Sequence, residues 1–266
     1  MTVPRRRWAV ATARAFRAET TKLLTLPLFL YAAAGTVVLT VGLSWILTSL
    51  VASALQGGRP RDAGGLEAGS AFLSILHFGQ IGVILLAAWV VHQEAGSGSL
   101  RSTLVAVPQR ASVFAAKALL VFTGALLTAI PSVFGAAGIR CTVIDCGADN
   151  NRIAPDPAAS AGILWGVVLY WTLIALFTYA LSVALRSGLA AMGSVLALAL
   201  VVSTFLLPIT RAARFLPDQA GAQLYQHAPQ PPDALGALGG GLVLLAWVIV
   251  AMTMACILFS RHPVRS

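Results

Sequence analysis

Apolar residues fall in six long runs along this chain, and short polar segments separate them. The runs cover residues 29–50, 71–91, 113–138, 161–185, 188–208 and 237–259. A helix needs about 20 apolar residues to cross roughly 30 Å of hydrocarbon. Backbone polar groups in lipid must be satisfied within the segment, so such runs become helices. The pattern therefore predicts an all-α, polytopic membrane protein with six transmembrane helices.

The rest of the chain is too short to form a separate soluble domain. Residues 1–26 are a basic N-terminus, residues 27–260 hold the six runs, and residues 261–266 form a short tail. Only 10% of the residues are charged, against roughly 25% in soluble domains. The first run exceeds the apolar core of a signal peptide, so we predict a span there and not a cleaved leader. We expect one transmembrane domain over residues 1–266.

The basic residues predict the orientation. With the N-terminus inside, the inner segments hold 12 of the 18 Lys and Arg, and the outer segments hold 6. Short inner loops of membrane proteins are enriched in Lys and Arg. Most acidic residues, Asp218 among them, then fall in outer loops. We predict a bacterial plasma-membrane protein with both termini in the cytoplasm. The net charge of +9 reflects this topology, and we expect no nucleic-acid partner.

The N-terminal segment has a two-sided pattern. Three arginines share one side of a helical wheel, and apolar residues share the other: Arg7, Arg14 and Arg17 against Trp8, Ala11, Ala15 and Ala18. Such a helix suits the surface of the anionic inner leaflet. We predict an amphipathic interfacial helix here. The alternative is a basic flank that only sets the topology.

The connection after the second run, residues 92–110, carries the most informative pattern. Ser97 or Ser99 can cap a helix, and Pro108 would end it. Between them, one apolar face is formed by Leu100, Leu104 and Val107. This helix is too short to cross a membrane. Two interpretations remain open: a docking element for a soluble partner, or an ordinary interfacial loop.

This connection resembles the loop after the second span in permease subunits of ATP-binding-cassette (ABC) transporters of the type-2 exporter class, especially small actinobacterial ones. The resemblance is carried by Glu94, Gly98, Ser99, Leu100, Arg101, Thr103, Leu104, Pro108 and Arg110. Two further segments fit: Glu19-x-x-Lys22-Leu23-x-Thr25 before the first run, and Leu216-Pro217-x-x-Ala220-Gly221 before the last. Ala95 departs from the family, which often has an aromatic residue or Arg after the glutamate.

The resemblance implies a transport subunit that is not itself an enzyme. In this family the loop is a coupling helix that docks on a separate ATPase, and two permease chains work with two ATPases. This chain has no Gly-x-x-x-x-Gly-Lys-Ser/Thr phosphate loop, so ATP and Mg would bind the partner, and we expect no cofactor on this chain. The second permease chain would be identical or different. The cargo would be hydrophobic, amphipathic or peptide-like and would move outward.

Two other classes stay open: a secondary carrier, and a membrane-embedded immunity or anchor protein without transport activity. Carriers and membrane enzymes place ionisable residues inside their spans. The predicted spans contain no Asp, Glu or Arg, and the only histidine inside them is His77. No acidic residue close in sequence would orient it, so we expect no catalytic residues. We predict that His77 and Gln80 hydrogen-bond between helices or line a wet cavity.

Two cysteines lie in a predicted outer loop. Cys141 and Cys146 are separated by four residues, and an exterior location permits a disulfide. We predict this bond, with two unpaired thiols as the alternative. Cys256 falls in the last run, where a packing role is expected. The spacing predicts no metal site.

Overall fold

The computed structural model describes residues 27–56, 61–97, 110–144, 157–226 and 235–261. All ordered elements in these ranges are helical, which confirms the all-α prediction for this part of the chain. In order they are α1 (Pro27–Gln56), α2 (Arg61–Ser97), α3 (Arg110–Ile144), α4 (Pro157–Leu185), α5 (Gly188–Ala197), a π-helical turn (Leu198–Val202), α6 (Ser203–Leu206), a 3-10 turn (Arg211–Phe215), α7 (Pro217–Ala222) and α8 (Gly236–Arg261).

Five of these helices are long and apolar enough to cross a membrane. They are α1, α2, α3, α4 and α8. The fifth predicted run, residues 188–208, contains a shorter apolar helix, Gly188–Val202. The architecture is that of a multi-pass membrane protein. The predicted N-terminal interfacial helix, residues 1–26, and the predicted coupling helix, residues 98–109, lie outside the described residues.

Helix α4 forms the centre of the bundle. It packs against α2, α3, α5 and α8. Its side chain Trp171 is fully buried, and the indole Nε1 donates to the Leu76 carbonyl of α2 at 3.1 Å. The ring fills the space over Gly79, where any larger side chain would collide with it. A large residue on α4 is therefore matched by a missing side chain on α2.

Helix α1 approaches α2 through small hydroxyl residues. Thr36 lies directly over Gly82, and the Thr40 hydroxyl lies near Gly79. Both threonines donate to carbonyls of their own helix, at 2.8 Å each. Their polar groups are thus satisfied before the helices meet. Small residues at such contacts let helix backbones come close in lipid.

A tight turn joins α4 to α5 at one end of the bundle. Arg186 adopts a left-handed conformation with φ 55, and Ser187 caps α5 by accepting from the Ala190 amide at 3.2 Å. Gly188 then packs against the Ala88 carbonyl of α2. We call this the loop end, because α2 ends here and α3 begins here.

The π-helical turn keeps one side of the next segment facing inward. The buried residues Ala191, Val195, Ala199 and Ser203 are spaced by four. In a regular α-helix of 3.6 residues per turn, twelve residues would rotate Ser203 about 120° away from Ala191. A wider turn takes up part of that drift. Ser203 therefore points into the bundle at the opposite end from Gly188.

Helix α7 is packed into the bundle between α4 and α8. Gly166 of α4 lies against the Leu224 carbonyl, and Gly240 of α8 lies against the Ala220 carbonyl. Gly221 of α7 lies on the ring of Tyr170. Three glycines thus allow the α7 segment, defined as residues 217–225, to enter between the helices. We call this the Asp218 end; α4 and α8 begin here.

Candidate functional site

A carboxylate is buried at the Asp218 end. The Asp218 side chain has no exposed surface. The Ser203 hydroxyl donates to its Oδ1 at 2.6 Å, and Gln219 Nε2 donates to its Oδ2 at 3.1 Å. Burial raises the pKa of Asp218, and these hydrogen bonds partly oppose the rise. The sequence analysis counted Asp218 among the outer-loop charges. The structure instead places it inside the bundle, because the α7 segment folds inward.

Near Asp218, a second group of polar side chains connects α2, α4 and the α7 segment. His77 Nδ1 lies 3.4 Å from the Tyr225 hydroxyl, and Gln80 Nε2 lies 3.4 Å from His77 Nε2. The Tyr170 hydroxyl of α4 donates to Gln80 Oε1. Gln80, Tyr170 and Tyr225 are fully buried, and His77 is half-buried. The chain of contacts joins α2, α4 and the α7 segment.

The two groups are close enough to interact electrostatically. Burial raises the pKa of Tyr225, and the charge of Asp218 raises that pKa further. The phenol therefore keeps its proton at ordinary pH. The rings of Tyr170 and Tyr225 also pack against each other, with centroids 5.5 Å apart. We define the polar cluster as His77, Gln80, Tyr170, Ser203, Asp218 and Tyr225.

Sequence reasoning found only part of this cluster. His77 and Gln80 were predicted to bond between helices or line a wet cavity; in the structure they hydrogen-bond to other elements, and the wet cavity stays a prediction. Ser203, Tyr170 and Tyr225 were missed. No local pattern marks these three residues, because they meet the rest of the cluster only through long-range packing.

The loop end carries the residues that resemble the ABC permease motif. Glu94 falls in the last turns of α2, and Arg110 is the first residue of α3. The remaining predicted coupling residues lie outside the described residues: Gly98, Ser99, Leu100, Arg101, Leu104, Val107 and Pro108. The two helix ends therefore bracket the segment, with residues 98–109 between them.

The structure describes only one of the two cysteines of the predicted disulfide. Cys141 is exposed near the end of α3, and Cys146 lies outside the described residues, so the bond between them stays a prediction. Cys256 is half-buried and packs against the core of the bundle. In the part of the chain that the structure describes, no group of three His, Cys, Asp or Glu side chains is arranged to hold a metal ion.

Comparison with known proteins adds no relative. The chain matches no protein-family model and no curated protein.

Proposed function

We propose that this chain is the transmembrane subunit of an ABC exporter, which works as a pair with two separate ATPase subunits. The observation that carries the proposal is the motif Glu94-x-x-x-Gly98-Ser99-Leu100-Arg101 at the junction of α2 and α3. A short apolar face at a helix–helix junction suits a soluble partner that fits a helix into a groove. The ATPase would bind ATP and Mg, and this chain would bind the cargo and the lipid.

The path of the chain supports six crossings with both termini in the cytoplasm. The chain leaves α4 at the loop end, where Gly188 contacts α2. It reaches Asp218 at the other end through Ser203. The segment from Gly188 to Leu206 therefore extends between the two ends of the bundle, although it is shorter than the five long helices. The Lys and Arg distribution then assigns the loop end to the cytoplasm.

A second motif that carried the resemblance has a clear structural role. The residues Leu216-Pro217-x-x-Ala220-Gly221 form the start and body of α7. Pro217 stands at the first helical position, which its fixed φ favours, and Gly221 allows contact with Tyr170. The small residues of this motif are those that the inward packing of α7 requires. This supports the resemblance at a site far from the loop end.

The structure also favours one alternative, a proton-coupled secondary carrier. From the sequence, the carrier class had little support because the predicted spans contain no Asp, Glu or Arg. In the polar cluster His77 contacts Tyr225, and the charge of Asp218 raises the pKa of that same tyrosine. Ionisable groups buried in a membrane protein mark ion or substrate pathways. This alternative needs no ATPase, which gives a direct way to separate the two.

The test is purification of the tagged chain from its native membranes, followed by identification of the partner and an ATPase assay. We expect a partner that contains a phosphate loop, together with ATP hydrolysis in the purified complex. Leu100→Asp places a charge on the predicted apolar face and should remove the partner. Ser102→Asp, on the opposite face of the same predicted helix, is the matched control and should retain it.

Two results would contradict the proposal. The first is a chain that purifies without any ATP-hydrolysing partner and still moves a substrate along a proton gradient, as a carrier does. The second is equal partner recovery with Leu100→Asp and Ser102→Asp. In that case the segment would be only a connector between α2 and α3.

A further inference from the structure

We propose that His77 is a proton-binding site that controls how tightly the α7 segment is held in the bundle. The proposal rests on the hydrogen-bond geometry of the polar cluster and does not depend on the proposed ATPase partner. It assigns a ligand, the proton, to the only histidine on the inner side of the Asp218 end among the described residues.

The direction of each hydrogen bond follows from the chemistry of the groups. An amide nitrogen only donates, so Gln80 Nε2 donates to His77 Nε2 across their 3.4 Å separation. His77 is therefore neutral, with its proton on Nδ1, and this N–H donates to the Tyr225 hydroxyl at 3.4 Å. At the other side of the amide, Gln80 Oε1 accepts from Tyr170. Each group in this arrangement has a complementary partner.

Protonation of His77 is incompatible with that arrangement. A hydronium ion at the half-exposed ring gives its proton to Nε2 and leaves water behind. The new Nε2–H then faces the amide N–H of Gln80, and two donors cannot pair. Rotation of the amide by half a turn restores the pair, because Oε1 then accepts from His77. Nε2 of Gln80 then donates to the Tyr170 oxygen, and the O–H of Tyr170 is left without its acceptor.

The loss falls on the contact that holds the α7 segment. Tyr170 is fully buried, and its ring supports Gly221 and Tyr225. A buried hydroxyl without an acceptor destabilises the packing around it. The α7 segment should therefore open more often when His77 is charged. His77 thus makes the packing of the α7 segment depend on the pH at the Asp218 end.

Among the side chains that the structure describes, few charged or titratable groups lie near His77. The α7 segment presents Asp218 and Tyr225 toward this region, and α4 presents Tyr170. The Arg140 guanidinium of α3 stacks over the ring of Phe72, which lies five residues before His77 on α2. Arg211 and Arg214 belong to the 3-10 turn that precedes α7. Helices α1 and α5 carry no Asp, Glu, Lys, Arg or His.

Two measurements on the full chain in nanodiscs test the proposal. The first is ¹⁵N NMR of labelled imidazoles at pH 8 and at pH 5. We expect the Nδ1–H tautomer of His77 at pH 8 and a doubly protonated ring at pH 5. The second is hydrogen exchange of residues 217–225, which should be about tenfold faster at pH 5 than at pH 8 after correction for intrinsic exchange, the effect expected when one buried O–H loses its acceptor.

Matched variants complete the design. His77→Gln should remove the pH dependence of the exchange. His92→Gln should retain it, because His92 lies on the same helix at the loop end, beside Trp89. If His77→Gln does not fold, Tyr170→Phe serves instead: the His77 imidazole should still titrate, but exchange of residues 217–225 should no longer depend on pH. An Nε2–H tautomer at pH 8, a ring that stays neutral at pH 5, or pH-independent exchange in the wild type would overturn the proposal.

Discussion

Helices α4 and α8 are both apolar and pack side by side, yet they differ in how much of their surface is buried in the bundle. Of the apolar stretch in α4, 72% is buried inside the protein, against 17% for α8. The stretch in α8 is nevertheless the more hydrophobic of the two. In a soluble protein the more hydrophobic helix would be expected inside. Here the order is reversed, because lipid is as apolar as a protein core.

The two helices also differ in their aromatic residues that donate hydrogen bonds to other elements. Three large residues of α4 each donate to another element: Tyr170 to Gln80, Trp171 to the Leu76 carbonyl and Tyr179 to the Phe114 carbonyl. On α8, Trp247 donates to the Phe215 carbonyl but stays exposed. A donor inside lipid has to find a partner. The central helix therefore carries three such donors that are fully buried, and α8 carries one that is exposed.

The largest effect on stability is expected from a substitution where α4 contacts the α7 segment. Gly166→Leu would drive a side chain into the Leu224 carbonyl. Overpacking costs about 1–3 kcal/mol and occasionally more, and the upper end is expected here because the atom met belongs to the backbone. We expect loss of the folded state in a denaturation series in mixed micelles. Gly162→Leu, one turn earlier on the same helix, meets open space and is the control. Equal stability of the two variants would show that α7 is not held against α4.

A smaller effect on stability is expected from substitutions in α8, which buries only one side of its surface. Leu244 is fully buried and Leu242 is 66% exposed. Leu244→Ala should lower the free energy of unfolding by about 2–3 kcal/mol, and Leu242→Ala by less than about 1 kcal/mol. The same denaturation series measures both. Similar values for the pair would mean that α8 does not pack on the bundle as described.

The hydrogen bond from Tyr170 of α4 to Gln80 of α2 should contribute less to the free energy of unfolding than the two packing contacts above. Tyr170→Phe removes the donor to Gln80 and keeps the ring that supports Gly221. Such bonds in membrane proteins contribute about 0.6 kcal/mol on average, so we expect a loss near that size at pH 8. A loss above about 3 kcal/mol would mean that the hydroxyl does more than bond to the amide.

The smallest effect is a pH dependence that comes from Asp218. Burial raises the pKa of this carboxyl above its usual 3.8, so the folded state binds the proton more tightly than the unfolded state. Its contribution to stability is then complete below 3.8 and declines as pH rises through the raised value. The difference in unfolding free energy between wild type and Asp218→Asn should therefore shift against the wild type as pH rises. A shift in the opposite sense would contradict the burial of the carboxylate.

The sequence predicted the long helices well because hydropathy and length determine them. Residues 161–185 and 237–259, for example, lie within α4 and α8. It did not predict which helix is central, since Leu in lipid and Leu in the core give the same pattern. It placed Asp218 in an outer loop and did not predict that the side chain is buried. The inward packing of α7 depends on Gly166, Gly221 and Gly240 meeting in space, which no local pattern reveals.

Within the candidate site, His77 and Gln80 were found because polar residues are rare in the second run. Ser203 was missed for a geometric reason: a regular helix would have turned it away, and the π-helical turn brings it inward. Tyr225 was missed because it follows α7 in a segment that was predicted to be an outer loop. Long-range pairing, not residue type, determines both positions.

The central claim, a transport subunit driven by a separate ATPase, is tested most directly by ATP hydrolysis of the complex in nanodiscs. Leu104→Ala truncates the predicted apolar face of the coupling helix and should weaken ATPase association, since burial of one leucine contributes roughly 1.5–3 kcal/mol. Glu94→Ala and Arg101→Ala should leave assembly intact but lower the transport-linked rate, because charged contacts at a rim add little affinity. Wild-type association and wild-type rates in all three variants would contradict the account.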